Sequence, residues 1–335
     1  MSHLTRYQRG QLGALYESGH RHTQQQIADI VGCSQSTISR ELRRANPNSK
    51  RKRYTSTTAQ HLAEGRRQKS YEQRKCWYDN PEVLKYIVEE LRDGKSPDAI
   101  AGRMKRKSPW HRYHAVSHES IYRYIWKVKE EGGVLHLYLP RKGKKTRFYG
   151  LQGASANNIP NRRDITERPK IVDRKKRCGD WESDLVVSTH KGSGAVATFV
   201  ERYSKYAQAV LLESKTADEM VRAATEVFSE IPEAFRLTMT HDNGSEIVKH
   251  EDITAEVDIV VYCAEPYRSW QRGLNENTNG LLRRFFPKGT DFSKISSQEL
   301  AKAVEKINNL PRRSLQYRTA KEVFLSEIKD YAFQS

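Results

Sequence analysis

Cysteine is scarce in this chain and has no ligand spacing. Cys33, Cys76, Cys178 and Cys263 are scattered through 335 residues, with no CxxC and no Cys/His spacing of the kind that holds zinc. That argues against a zinc site or a disulfide framework and leaves reduced thiols as the expectation. Long apolar runs are missing too. No stretch approaches the roughly 18 consecutive apolar residues of a membrane span, and the N-terminus carries no secretory h-region. The chain is expected to have no membrane partner and to stay in the compartment where it is made. Low-complexity tracts and short-period repeats are also absent.

What is present is positive charge, unevenly placed. The formal charge is +18 and the pI about 9.7, which calls for a polyanionic partner. Residues 1–140 carry +12, residues 141–177 carry +10, and residues 178–335 carry −4. A basic front and a mildly acidic back read as DNA-holding modules attached to a carboxylate-bearing core. The length allows two or three domains.

The first module lies at 1–45. Thr5-x-x-Gln8 and Thr23-x-x-Gln26 read as capping boxes that start two helices. Leu12, Leu15 and Tyr16 form an apolar stripe on the first, and Ile27, Ala28 and Ile30 on the second. Val31-Gly32-Cys33 is a turn. Ser34 to Arg44 begins a third helix, with Ile38 and Leu42 facing inward. This is a helix-turn-helix. Gln35, Ser36, Thr37, Ser39 and Arg40 are placed to read base edges, and Arg43 and Arg44 suit phosphates. A polar, basic linker or helical connector follows at 46–80.

A second, weaker copy is expected within 81–140. Ser96-Pro97 starts a helix with Ala99, Ile100 and Met104 on its apolar face. A basic, aromatic insertion follows at 107–115. Ser117 then caps a helix on which His118, Ser120 and Arg123 face DNA, while Ile121, Tyr124 and Ile125 pack inward. Residues 141–177 are rich in Gly, Asn, Pro and basic residues and read as a linker arm along a phosphate backbone.

From 178 to 335 strand-like and helical runs alternate. Strands are expected at 185–188, 195–200, 207–213, 236–241 and 257–263, with helices at 216–229, 270–286 and 297–308. Three strands, a helix, two strands and then helices is the order of a ribonuclease-H-like fold. The whole chain is therefore read as multidomain: all-α helix-turn-helix modules, then an α/β ribonuclease-H-like (integrase-type) core.

Three acids stand out in that core. Asp184 closes Gly-Asp-Trp-Glu-Ser-Asp, Asp242 ends an apolar run at Thr-His-Asp-Asn-Gly, and Glu276 lies on the long helix. Carboxylates are the hard oxygen ligands Mg²⁺ prefers. Two such ions about 3.5–4 Å apart clamp the attacking and leaving oxygens of a phosphodiester. The expected cofactor is Mg²⁺ (or Mn²⁺), two ions per site. Asp180, Glu182 and Asp184 share one strand face, so the residues alone leave the choice among them open. Glu276, Asn279 and Arg283 fall at i, i+3 and i+7 on one helix face. Tyr267, Arg268 and Arg272 flank its start and are expected to hold the DNA strand.

The runs Ser-Gln-Ser-Thr-Ile-Ser-Arg-Glu-Leu-Arg-Arg, Trp-Glu-Ser-Asp-Leu, His-Asp-Asn-Gly-Ser-Glu and Pro-Tyr-Arg-Ser-Trp-Gln-Arg-Gly-Leu-Asn-Glu-Asn-Thr-Asn-Gly-Leu-Leu-Arg-Arg-Phe-Phe-Pro-Lys-Gly-Thr-Asp resemble the DDE-class bacterial insertion-sequence transposases, in the group numbered thirty. The 33 residues between Asp242 and Glu276 match that group's spacing. The resemblance implies Asp184, Asp242 and Glu276 as the metal-binding triad. It further implies terminal inverted repeats and target DNA as ligands, a homodimer or higher homo-oligomer that pairs two ends, and a cytoplasmic, nucleoid-associated protein. Ser183 departs from the Gly more usual before the first Asp. The expected chemistry is strand cleavage that frees a 3′-hydroxyl, then attack by that hydroxyl on a second phosphodiester. The alternatives are a DNA-binding regulator with an inactive nuclease-like core, or a nuclease that cuts without joining.

Overall fold

A computed structural model describes residues 4–17, 22–45, 54–72, 76–140, 159–188, 194–265 and 269–333. It divides into two compact units, residues 1–80 and 81–335.

The first unit contains α1 (Arg6–Glu17), α2 (Gln24–Val31), α3 (Gln35–Ala45) and α4 (Ser56–Glu72). Both expected capping boxes form. The Thr5 N–H donates to Gln8 Oε1 at 3.0 Å, and the Gln8 N–H returns to Thr5 Oγ1 at 3.2 Å. Thr23 and Gln26 pair the same way at the start of α2. Gly32, at φ 73°, takes the left-handed conformation that ends α2 and turns the chain into α3. Leu12, Ile27, Ala28, Ile38, Tyr54 and Ala59 form the core. Ile30, expected inward, is 52% exposed. At about 100° per residue it falls outside the arc shared by Ile27, Ala28 and Val31. Tyr16 is also largely exposed, with its ring edge-on to Tyr54. The stretch read as a connector from 46 supplies α4, which packs on α1 and α3 and closes this unit.

The second unit opens with α5 (Pro81–Arg92), α6 (Pro97–Met104), α7 (Pro109–Tyr113) and α8 (His118–Glu130). Ser96 and Ser117 cap α6 and α8 as expected, each accepting a backbone N–H. Ile121 and Ile125 are fully buried, whereas Tyr124 is only partly so. The core strands are β1 (Asp180–Val187), β2 (Ala195–Glu201), β3 (Ala207–Leu212), β4 (Thr238–His241) and β5 (Val260–Cys263). Their order across the sheet is β3-β2-β1-β4-β5. β1, β2 and β3 pair antiparallel, while β4 and β5 add in parallel. That is the ribonuclease-H-like arrangement. The helices are α9 (Ala217–Ser229), α10 (His250–Val257), α11 (Gly273–Leu282), α12 (Ser297–Asn308) and α13 (Ala320–Ala332), with a small hairpin of β6 (Pro311–Arg312) and β7 (Arg318–Thr319) before the last. Trp181 anchors the core: it is fully buried, its ring meets Phe228 edge-on, and its Nε1–H donates to the Phe235 carbonyl at 2.8 Å.

Several boundaries differ from expectation. β1 begins at Asp180, so Asp184 lies inside it and does not precede it. Residues 250–257 form α10, and β5 starts three residues later than the sequence suggested. A 3₁₀ turn at Ser269–Arg272 precedes α11, which ends at Leu282. Residues 81–140, expected as a separate module, share one compact unit with the core. There, α6 is fastened to the C-terminal hairpin and to α13. Arg103 Nη1 donates to Glu322 Oε2 at 2.8 Å, and Tyr317 Oη donates to Asp98 Oδ1 at 3.2 Å. Gly102 permits this approach, because a Cβ there would lie 2.2 Å from the Tyr317 ring. Of the expected arm at 141–177, residues 159–177 are described and lie against the core, with Ile159, Ile165 and Val172 buried. Residues 141–158 lie outside the described part.

Candidate active site

The parallel pairing of β1 with β4 sets the site. Asp180 pairs with Thr238 and Glu182 with Thr240. Two residues further along this register, Asp184 comes opposite Asp242, at the C-terminal end of β4. The three β1 acids differ in what surrounds them. Asp180 is 1% exposed and takes bonds from Arg177 Nε at 2.8 Å and Thr238 Oγ1 at 2.7 Å. Glu182 is fully buried and pairs with Arg202 Nη1 at 2.5 Å. Its second oxygen accepts the Leu274 and Asn275 N–H groups at 3.0 and 3.1 Å, so it caps the N-terminus of α11. Both acids are committed to the fold. Asp184 keeps an accessible carboxylate, with 22% of its side chain exposed.

Asp184 and Asp242 share one cation. Arg272 Nη1 lies 3.1 Å from Asp184 Oδ1, and Nη2 lies 3.1 Å from Asp242 Oδ2. Asn279 holds the other Asp184 oxygen, donating from Nδ2 at 2.8 Å, and Thr198 Oγ1 fixes that amide at 3.1 Å. His241 Nδ1 lies 3.1 Å from Asp242 Oδ1, which also accepts the Gly244 N–H at 3.2 Å.

The two aspartates are pulled apart electrostatically. Burial raises the Asp184 pKa, the Asp242 charge adds to this, and Arg272 only partly offsets it. Burial would also raise Asp242, but the His241 bond and charge, Arg272 and the Gly244 N–H outweigh it and hold the group below the usual carboxylate range. Burial would lower both Arg272 and His241. The facing carboxylates reverse this and raise them.

Glu276 is exposed on α11 and, among the described residues, has no hydrogen-bond or ion-pair partner. It lies about 60° around the helix from Asn279. It therefore flanks the Asp184 face and opens onto a cleft of about 790 Å³. Arg283, expected at a phosphate, donates to the Val187 carbonyl at 3.1 Å. Arg272, expected on the DNA strand, lies between the two aspartates. Tyr267 and Arg268 lie outside the described residues.

On α3, Gln35, Ser36, Arg43 and Arg44 are exposed, and Thr37, Ser39 and Arg40 partly so. Gln35 Nε2 meets Gln24 at 2.9 Å, and Arg40 Nε folds back to the Ser36 carbonyl at 2.9 Å. On α8, His118 and Arg123 are exposed and Ser120 is half-buried.

Two neighbours of Asp242, His241 and Glu246, were not expected in the site. Ligand atoms of His241, Asp242 and Glu246 lie within 4.8 Å of one another. Gly244 makes room for this, since a Cβ there would sit 2.1 Å from Glu246 Oε1. The run Thr-His-Asp-Asn-Gly-Ser-Glu held the signal, because a glycine two residues before an acid lets that acid fold back over the turn.

Residues 1–45 match a helix-turn-helix domain family, and residues 175–269 match the integrase core domain family. The transposase for insertion sequence element IS4351 of Bacteroides fragilis is 38% identical over 89% of this chain and 88% of its own length. The transposase for element IS1086 of Cupriavidus metallidurans is 34% identical over 89% and 87%. Transposase InsI for element IS30A of Escherichia coli K12 is 33% identical over 89% and 77%. Among solved structures, the catalytic core domain of BIV integrase aligns with a TM-score of 0.37 at 19% identity, covering 46% of this chain and 99% of that one.

Proposed function

The chain belongs to the insertion-sequence transposases, in the group numbered thirty, and from that premise we propose that it binds the terminal inverted repeats of its element and cuts and joins DNA there with a divalent metal. The observation that carries this reading is the Asp184–Asp242 pair, two carboxylates from neighbouring parallel strands converging on one cation. A guanidinium already lies between them, 3.1 Å from each. The oxygen donor set suits Mg²⁺ or Mn²⁺. Asp184, Asp242 and Glu276 would hold the ions, which supply Lewis acidity at the attacking and leaving oxygens of the phosphodiester.

Each neighbouring side chain has a definable task. Asn279 fixes the rotamer of Asp184, and its own amide is set by Thr198. His241 and the Gly244 N–H hold Asp242 ionised. Glu182 pins the first turn of α11 to β1, and so sets the height of Asn279 and Glu276 over the sheet. In the first unit, α3 presents Gln35, Ser36, Thr37, Ser39, Arg40, Arg43 and Arg44 to the ends. His118, Ser120 and Arg123 on α8 give a second DNA contact. Pairing two ends calls for at least two copies of the chain.

The test uses purified protein and a labelled duplex of the element's own terminal sequence, with Mg²⁺ or with EDTA. Products are resolved on a denaturing gel. End cleavage plus a longer joined product, both lost in EDTA, is the expected result. DNA that is bound and shifted but never cut would replace the reading with a regulator, and cutting without joining would replace it with a nuclease.

Arg272 has its own signature. A guanidinium bonded to two carboxylates competes with an entering dication. Each such charged hydrogen bond contributes about 1.5–3 kcal/mol. Arg272→Gln should therefore bind Mn²⁺ about tenfold more tightly without DNA, as read by calorimetry. Affinity equal to or weaker than the parent's would show that Arg272 does not occupy the ion's place.

A further inference from the structure

The cleft that receives Glu276 runs beside the outer face of α11, and Asn277, Arg284 and Arg312 also line it. A second cavity of about 530 Å³ adjoins it, lined by Lys205, Leu274, Asn277, Arg312, Arg313 and Ser314. Asn277 and Arg312 belong to both, so the two are parts of one groove. Its charge is lopsided. Arg284, Arg312, Arg313 and Lys205 line it, and Glu276 is the single acid among its described lining residues.

Arg312 is the unusual member. Its Nε and Nη2 atoms are buried and have no hydrogen-bond partner, and no carboxylate pairs with it among the described residues. Burial lowers its pKa. Burial lowers that of Lys205 as well, and the Arg312 charge adds to the effect. Two cations thus crowd one wall with no anion between them. A buried charge without a counter-charge is unfavourable, and a bound anion would offset that. With Nε and Nη2 enclosed, Nη1 is the guanidinium nitrogen left to meet a phosphate oxygen from the groove. Several cations spaced along a groove fit a chain of phosphates better than a single small anion.

We propose that this groove holds one strand of the DNA substrate. Arg312 anchors one phosphate, Arg313 and Lys205 take phosphates to one side, and the strand runs along α11 to Glu276. The placement at Glu276 rests on the functional reading above, whereas the binding itself does not.

The test measures binding of the full chain to a labelled mixed-sequence DNA duplex, in EDTA, by fluorescence anisotropy over a range of salt. Each phosphate contact contributes about −0.9 to the slope of log K against log salt. Arg313→Gln should make the slope shallower by about 0.9, and Arg312→Gln with Arg313→Gln by about 1.8. Lys302→Gln, on the exposed face of α12, should leave it unchanged. Slopes equal to the parent's in both groove variants would overturn the proposal. If Arg312→Gln does not fold, Arg313→Gln decides alone, since that side chain is exposed. A parent protein that cuts nothing, yet loses slope in these variants, would fail the transposase reading and leave the groove standing.

Discussion

Asp184→Asn is expected to lower end cleavage and joining by about 10³-fold, while the variant still shifts terminal DNA as the parent does. The amide keeps the shape of the side chain, so the Asn279 contact and the strand pairing survive. What disappears is a negative oxygen ligand. Metal stabilisation of a phosphoryl transition state amounts to several kcal/mol, and about 4 kcal/mol corresponds to about 10³ in rate. Asp242→Asn and Glu276→Gln should fall with it, and the three should be strongly non-additive because they act as one unit. Asp180→Asn is the discriminating control. Asp180 shares the strand face with Asp184 but is held by Arg177 and Thr238 inside the fold. It should cost stability and spare the chemistry of whatever protein folds. A cutting Asp184→Asn variant beside an inactive, well-folded Asp180→Asn variant would reverse the assignment.

That control marks where sequence reading stopped. Strand periodicity places residues 180, 182 and 184 on one face and cannot rank them. The ranking comes from Arg177, Arg202 and the first turn of α11, which meet two of the three acids only after folding. The succession of strands and helices along the chain, by contrast, was legible, because β2 and β5 are apolar runs rich in β-branched residues and the crossing helix α9 keeps a clear 3.6-residue period. The cap residues Thr5, Thr23, Ser96 and Ser117 were legible for the same reason, since a cap is a local matter of a few residues. α10 was not, because its eight residues mix acidic and apolar side chains with a weak stripe. The place of Arg272 was hidden more deeply. A basic residue before a helix suggests a phosphate contact, and nothing local says that two aspartates from different strands will reach it first. The packing of α6 on the C-terminal hairpin depends on Gly102 meeting Tyr317, more than two hundred residues away in the chain, and no periodicity reports that.

Glu182→Gln is expected to destabilise the second unit by about 3 kcal/mol, the low end for breaking a buried ion pair, because Asp173 still lies 3.9 Å from Arg202. Arg202 is the partner left behind, with 4% of its side chain exposed and its Nε already without a hydrogen bond. Denaturant unfolding of the full chain would read the loss. The same substitution should weaken the chemistry beyond the fraction unfolded. The charged oxygen that accepts the Leu274 and Asn275 N–H groups also faces the positive end of the α11 dipole, and its neutral replacement holds that end less firmly. Asn279 sits one turn further on, and through it the orientation of Asp184 depends on where α11 starts. Replacing Glu182 and Arg202 together by Met removes the unpaired charge and should recover much of the stability. It cannot recover the cap, so cleavage by the folded double variant should stay below the parent's. Full activity in that double variant would reduce Glu182 to a purely structural acid, with no part in holding Asn279 against Asp184.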